Sequence, residues 1–261
     1  MIIVLSIITL ITFPVWLITV TVDRKQSLYL IFTRFFIRLF FLLNFILIDR
    51  RIRFNGITKP KNGIKRIYIL NHCSIVDGLL LFLLPGNIKF MAKDTYAKIP
   101  IFGLGVSMTG SVQVKSGGQG QQLDMYYSAS EILDAGYPLV VFAEGTRSRT
   151  GTIARFQNSA FMLAKEHNAE IVPVVLDTWN IIRPGSLMVR STEISMDLLD
   201  TIKPEEFSDL SYKELSNMVR KIMIKNFLSL TSIKKSANKH YYRNFNDFIE
   251  IDMKLQSEIE K

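Results

Sequence analysis

From Arg66 to about residue 200, short apolar runs that fit buried strands alternate with stretches of helical period, and this alternation leaves few folds open. Strands are expected at residues 66–70, 87–91, 111–114, 138–143, 171–176 and 187–195, with helices near residues 75–84, 121–135 and 158–167. The fold class that follows is α/β, a central mixed sheet flanked by helices. Before it, residues 51–65, with Asn55-Gly56 and Lys59-Pro60-Lys61-Asn62-Gly63, read as a polar, turn-rich connector. After it, the stretch from Pro204 to Leu230 reads as one amphipathic helix or two, and residues 231–261 as a polar, partly mobile tail.

The amino-terminal region is different in kind. Residues 1–22 are apolar or small throughout, with Pro14 in the middle, and end at Asp23-Arg24-Lys25. About 20 such residues suffice to span a bilayer. A cleaved signal peptide is the alternative, but the run has no positive leading region and no A-x-A site, so a retained anchor is expected. A second apolar run, residues 27–48, carries Arg34 and Arg38 four apart on one helical face. At mid-bilayer each arginine would cost about 2.5 to 3.5 kcal/mol, which favours a helix lying at the interface. Residues 1–50 are therefore expected to be membrane-anchoring and interfacial helices.

Charge points the same way. The net charge is +9, and residues 1–66 alone hold eleven Lys and Arg against Asp23 and Asp49, which accounts for all of it. Cations beside the most apolar part of a chain fit an anionic bilayer surface, whereas a nucleic-acid binder would spread them over a polar face with stacking aromatics. No nucleic-acid partner is expected. Positive clusters on both sides of the second run place the remainder of the chain on the cytoplasmic face of the membrane. The single cysteine, Cys73, excludes an internal disulfide, and His72, His167 and His240 form no metal-ligand spacing.

The chemistry is concentrated in two stretches. Asn71-His72-Cys73-Ser74-Ile75-Val76-Asp77 joins the apolar run Ile67-Tyr68-Ile69-Leu70 to the apolar run beginning at Gly78. Within one helix His72 and Asp77 would point about 140° apart, so His72 is expected in the loop, with Asp77 one turn into the helix behind it. The carboxylate can then fix which imidazole nitrogen carries the proton, making a general base with its orienter. No protein nucleophile stands nearby, since Cys73 and Ser74 are too close in sequence to be presented easily to His72. The nucleophile is therefore expected to come from a substrate. Taken alone, a histidine beside an aspartate is more often a structural hydrogen bond.

The second stretch, Phe142-Ala143-Glu144-Gly145-Thr146-Arg147-Ser148-Arg149, follows the apolar strand Leu139-Val140-Val141. It sets backbone N–H groups and a guanidinium at the carboxyl end of the sheet, where ligands of open α/β folds gather. Arginine matches a phosphate bidentately, and Gly145 would let a ligand approach the backbone closely. Glu144 and Arg147 pairing across a turn is an equally good reading of these residues by themselves.

Together, N-H-x-x-x-x-D and F-x-E-G-T-R-S-R in this order resemble the glycerolipid (lysophospholipid) acyltransferase family, most closely the branch acting on 1-acyl-glycerol-3-phosphate. The likeness covers roughly residues 66–200, and makes residues 51–210 an acyltransferase domain, followed at residues 211–261 by a helical extension and polar tail. It implies His72 and Asp77 as catalytic residues and Glu144, Gly145, Thr146 and Arg147 as binding residues for the acceptor's glycerol phosphate. It also implies an acyl thioester donor, acyl-CoA or acyl-carrier protein, with no cofactor and no metal. Ile171-Val172-Pro173-Val174-Val175 resembles a further family block with an acyl-site role, and a plain core strand explains it almost as well.

Two departures bear on the acceptor. Where the family has an arginine that helps hold phosphate, this chain reads Val112-Gln113-Val114-Lys115-Ser116, and Lys115 can substitute only as a point charge. Where the family has a Phe-Lys-x-Gly-like run, this chain has Phe156-Gln157-Asn158-Ser159. Another lysolipid or an amino-lipid thus stays open as the acceptor. A lipid hydrolase is the competing enzyme class, but no G-x-S-x-G elbow follows a strand. A non-catalytic membrane-binding protein would have no need of the four residues His72, Asp77, Glu144 and Arg147.

Overall fold

The computed structural model describes residues 52–55, 63–93, 111–114, 121–182, 194–237 and 253–259, together with residues 7, 10, 11, 13–15, 17, 18, 31 and 35. Among the described residues seven strands form one mixed sheet: β1 (Ile52–Asn55), β2 (Arg66–Leu70), β3 (Lys89–Lys93), β4 (Val112–Val114), β5 (Leu139–Phe142), β6 (Glu170–Asp177) and β7 (Ile194–Leu198), in the order β1-β7-β6-β2-β5-β3-β4. All pairings are parallel except β6 with β7.

The helices are α1 (Asp77–Leu80), α2 (Gln121–Asp134), α3 (Ser159–Glu166) and α4 (Tyr212–Ala237), and residues 253–259 are helical as well. The expected single helix at residues 75–84 is in fact α1 followed by a 3-10 turn, Leu81–Leu83. Pro85 stands two residues beyond that turn and cannot continue a helix.

β2 is central because all five of its residues are buried and apolar side chains occupy both of its faces. Ile67 and Ile69 point into one core with Leu133, Phe161 and Phe227, while Tyr68 and Leu70 point into a second with Leu80, Leu81 and Met196. Helices α2, α3 and α4 cover the first face, and α1 with its 3-10 turn covers the second. β6 is equally buried and tolerates Pro173. The Pro173 carbonyl accepts from Leu199 N at 2.9 Å, so the donor that proline lacks falls on the same side. There the pairing is interrupted between the Ile171–Ile202 bridge and the Val174–Leu198 pair.

Two further expectations change, and a third is described only in part. The connector at residues 51–65 contains a strand, β1, which pairs Ile52 with Ile194 at the sheet edge. Of the strand expected at residues 187–195 only Ile194 and Ser195 are described, and they open β7, Ile194–Leu198, while residues 183–193 lie outside the described residues. The carboxy-terminal region is more than a polar tail. α4 runs on to Ala237, and Leu215, Val219, Met223, Phe227 and Leu230, at helical spacing, join the first core with Leu255 of residues 253–259.

Of the amino-terminal region the described positions are helical, with Ile7, Leu10, Ile11, Leu17, Ile18, Ile31 and Phe35 exposed. Among the described residues no helix is long and apolar enough to cross a membrane. The rest of residues 1–50, Lys115 and His240 lie outside the described residues.

Candidate active site

β2 delivers the first stretch to the carboxyl end of the sheet. The Asn71 side chain accepts from Leu176 N at 2.7 Å and donates to Leu176 O at 2.9 Å, prolonging the β2–β6 pairing by one side chain. The chain then leaves the sheet and His72 sits in the loop, as its spacing to Asp77 requires. His72 Nδ1 lies 2.8 Å from Asp77 Oδ2. Asp77 is the first residue of α1 and not one turn inside it, so it reaches His72 through a tight turn closed by Asp77 N to Ser74 O at 3.2 Å.

That carboxylate is the most constrained group of the site. Asp77 is 0% exposed. Its Oδ2 also accepts from Cys73 N at 2.6 Å and Ser74 N at 2.8 Å, and its Oδ1 accepts from the Thr178 hydroxyl. Each of these partners presents a hydrogen, and the carboxylate accepts from all of them. The hydrogen between it and His72 is therefore on Nδ1, and Nε2 is the free lone pair. Nε2 has no hydrogen-bond partner among the described residues. The ring also stacks on Phe142, with centroids 4.1 Å apart and planes at 23°, and its side chain is 19% exposed. A carboxylate at one end and an aromatic face beneath leave the imidazole one orientation, with Nε2 outward.

The second stretch adjoins the first by backbone contact. Ser148 N donates to His72 O at 2.7 Å and Ala143 N to Leu70 O at 3.1 Å. Glu144, 5% exposed, does not pair with Arg147. Its Oε1 accepts from His72 N at 2.9 Å and its Oε2 from Ala154 N at 2.8 Å. Burial raises its carboxyl above the ordinary value, opposed by those two amide bonds and by the charges of His72 and Arg220. A buried carboxylate with each oxygen holding a backbone amide braces the His72 loop.

Gly145 adopts φ +68°, and a Cβ there would come within 2.3 Å of the Gln157 side chain. That φ lies in the left-handed region, which glycine adopts without strain. Thr146 is exposed, and half-buried Arg147 makes no hydrogen bond or ion pair among the described residues. A guanidinium so held, one residue before the amide bound to His72, can take an anion. Lys115 is outside the described residues.

Neither neighbouring nucleophile is available. Cys73 is fully buried, and burial with the nearby Asp77, Glu144 and Asp177 carboxylates pushes its thiol well up. Ser74 is buried, with its hydroxyl donating to Ile182 O at 3.3 Å. Among the described residues no group of three or more His, Cys, Asp or Glu could hold a metal ion. Sequence reasoning missed Thr178, Phe142 and Arg220. Only Phe142 had a signal, as the last apolar residue before Glu144.

Residues 51–177 match the model of the Acyltransferase family. A chloroplastic 1-acyl-sn-glycerol-3-phosphate acyltransferase of Arabidopsis thaliana is 34% identical over 128 residues, which is 49% of this chain and 36% of that protein. A 1-acyl-sn-glycerol-3-phosphate acyltransferase of Helicobacter pylori is 27% identical over 170 residues, covering 64% of this chain and 72% of that protein. The chain thus spans little more than a third of the plant relative's length. The crystal structure of the 1-acyl-sn-glycerophosphate acyltransferase PlsC from Thermotoga maritima shares the fold, with a TM-score of 0.68 at 21% identity over 87% of this chain and 95% of that one.

Proposed function

We propose that this chain, whose residues 51–177 match the Acyltransferase family model, moves a fatty acyl group from a thioester to the free hydroxyl of 1-acyl-glycerol-3-phosphate. The observation that carries the reading is the imidazole of His72, with Nδ1 committed to the buried Asp77 and Nε2 open. In this reading Nε2 takes the proton of the acceptor hydroxyl as its oxygen attacks the thioester carbonyl. The tetrahedral intermediate collapses with cleavage of the C–S bond, the new ester forms, and the imidazolium returns its proton to the leaving thiolate. Asp77 stabilises the transient cation and keeps the ring from turning. No acyl-enzyme is required because the alcohol is itself the nucleophile.

Arg147 takes the acceptor's phosphate in this scheme, with Lys115 as a weaker helper, and acyl-CoA or acyl-carrier protein is the donor. Residues 1–50 attach the protein to the membrane with the acyltransferase domain, residues 51–210, on the cytoplasmic face. The apolar side chains exposed on the described helical positions there support this attachment.

The decisive experiment compares Arg147→Ala with the unaltered protein on lysophosphatidic acid and on a lysophosphodiester, using a labelled acyl thioester. A charge-assisted hydrogen bond contributes about 1.5 to 3 kcal/mol, so the acceptor specificity constant for lysophosphatidic acid should fall roughly 10- to 150-fold, and that for the diester less. Equal losses would remove the phosphomonoester assignment. Release of free fatty acid at the same rate with and without acceptor would replace transfer by hydrolysis.

A further inference from the structure

Helix α4 reaches toward the site through Arg220. Arg220 donates from Nε to Ala154 O at 2.7 Å and from Nη2 to Ile153 O at 2.6 Å, and Nη2 also pairs with the Glu258 carboxylate of residues 253–259. The Ile153 carbonyl and the Ala154 amide belong to one peptide unit, and that amide is the donor to Glu144 Oε2. A guanidinium therefore pulls on the oxygen of this peptide while a carboxylate pulls on its hydrogen. Each polarises the peptide for the other, as in any chain of hydrogen bonds in a medium of low dielectric. The other Glu144 oxygen holds the backbone N–H of His72. The sequence of contacts is continuous: Glu258, Arg220, the Ile153–Ala154 peptide, Glu144, His72.

We propose that Arg220 is a positioning residue for His72, acting through the Ile153–Ala154 peptide and Glu144, with Glu258 holding Arg220 in place. The inference rests on the reading of His72 as the general base. Arg220 is suited to the task by shape as well as charge, since its planar fork meets two successive carbonyls that a lysine could address only one at a time. A plain staple between α4 and the loop at residues 153–154 would stabilise the fold without reference to Glu144. The two roles separate in a double-mutant cycle, where groups acting in one network lose additivity.

The experiment uses the full chain with Arg220→Ala, Arg220→Lys, Glu258→Gln, Glu144→Gln and the double variant Arg220→Ala with Glu144→Gln. Each is assayed for kcat and KM of acyl transfer and for its unfolding midpoint. Selective ¹⁵N-histidine labelling adds a structural readout, because the chain has three histidines and hence three backbone amide signals. Misplacing a reacting group from a distance costs up to about 100-fold, so Arg220→Ala should lower kcat roughly 10- to 100-fold with KM for the thioester nearly unchanged. Arg220→Lys should recover part of the loss, and Glu258→Gln should show a smaller loss of the same kind. The His72 amide signal should move in all three. In the Glu144→Gln background, Arg220→Ala should lower kcat little further. Additive losses in the double variant, or a falling midpoint with an unmoved His72 amide, would overturn the proposal. Retained activity in His72→Ala would instead overturn the base assignment, and the amide signal would still report whether Arg220 governs the loop.

Discussion

Among the described residues there are two histidine–aspartate pairs, one at each end of the sheet, and their chemistry is alike on paper. His72 and Asp77 meet at 2.8 Å at the carboxyl end of β2, while His167 Nδ1 and Asp134 Oδ1 meet at 3.1 Å near its start. What separates them is how the remaining valences are used. At the rear, Asp134 is 59% exposed and shares its oxygen with Lys65, and His167 Nε2 is 2.7 Å from the Ser130 hydroxyl. Both ring nitrogens are occupied, and the carboxylate is free to leave. At the front the carboxylate is buried and held by three further donors, while one ring nitrogen has no partner among the described residues. A histidine beside an aspartate thus becomes a candidate base only when the acid is immobilised and the far nitrogen is left open.

Exchanging the two pairs experimentally gives the largest contrast. His72→Ala should reduce acyl transfer by about 10² to 10⁴-fold, with folding intact, whereas His167→Ala should leave turnover unchanged. Equal losses in the two variants would erase the distinction drawn above. Stability should divide the pairs less sharply. Asp77→Ala strands the Cys73 and Ser74 amides and the Thr178 hydroxyl, at about 1 to 3 kcal/mol for each donor left unsatisfied, so urea denaturation should show a clear loss. Asp134→Ala, at an exposed and solvated site, should leave the midpoint almost where it was.

The smallest effect lies in the acid limb of the stability curve. A hydrogen bond from Lys65, aided by the charges of Lys65 and His167, lowers the Asp134 carboxyl, so its contribution is present above the unfolded value near 3.9 and is lost as pH falls below that. Burial raises Glu144 instead, so its penalty appears as pH rises above the unfolded value near 4.3. Asp134→Asn should therefore flatten the rise of stability with pH below about pH 4, and Glu144→Gln should steepen it above about pH 4. Identical pH dependence of both variants and the parent would show that neither carboxyl is perturbed as described.

How far these features could be read from residues alone depended on how local their causes were. β2, β5, α2 and α3 announce themselves because their buried apolar residues lie within one short run, and the His72–Asp77 spacing forced the loop placement. β1 was read as connector since Ile52-Arg53-Phe54-Asn55 is short and half polar, and only its partner β7 makes it a strand. The role of Glu144 was hidden for the same reason. Its carboxylate is defined by the amides of His72 and Ala154, and nothing in the Glu-Gly-Thr-Arg run names them. Thr178 supports Asp77 from the far end of β6, a pairing that no periodicity signals.

The edge strand β1 has a consequence for the order of events during synthesis. Its partner is β7, the last strand among the described residues, with Ile52 against Ile194, so the ribosome must make almost everything between them before the sheet can close on that side. At about 5 to 20 residues per second that interval is on the order of ten seconds, long compared with the closing of any local loop. Any attachment that the segment ahead of β1 makes in that interval would precede closure of the sheet, and the domain would complete its fold already tethered.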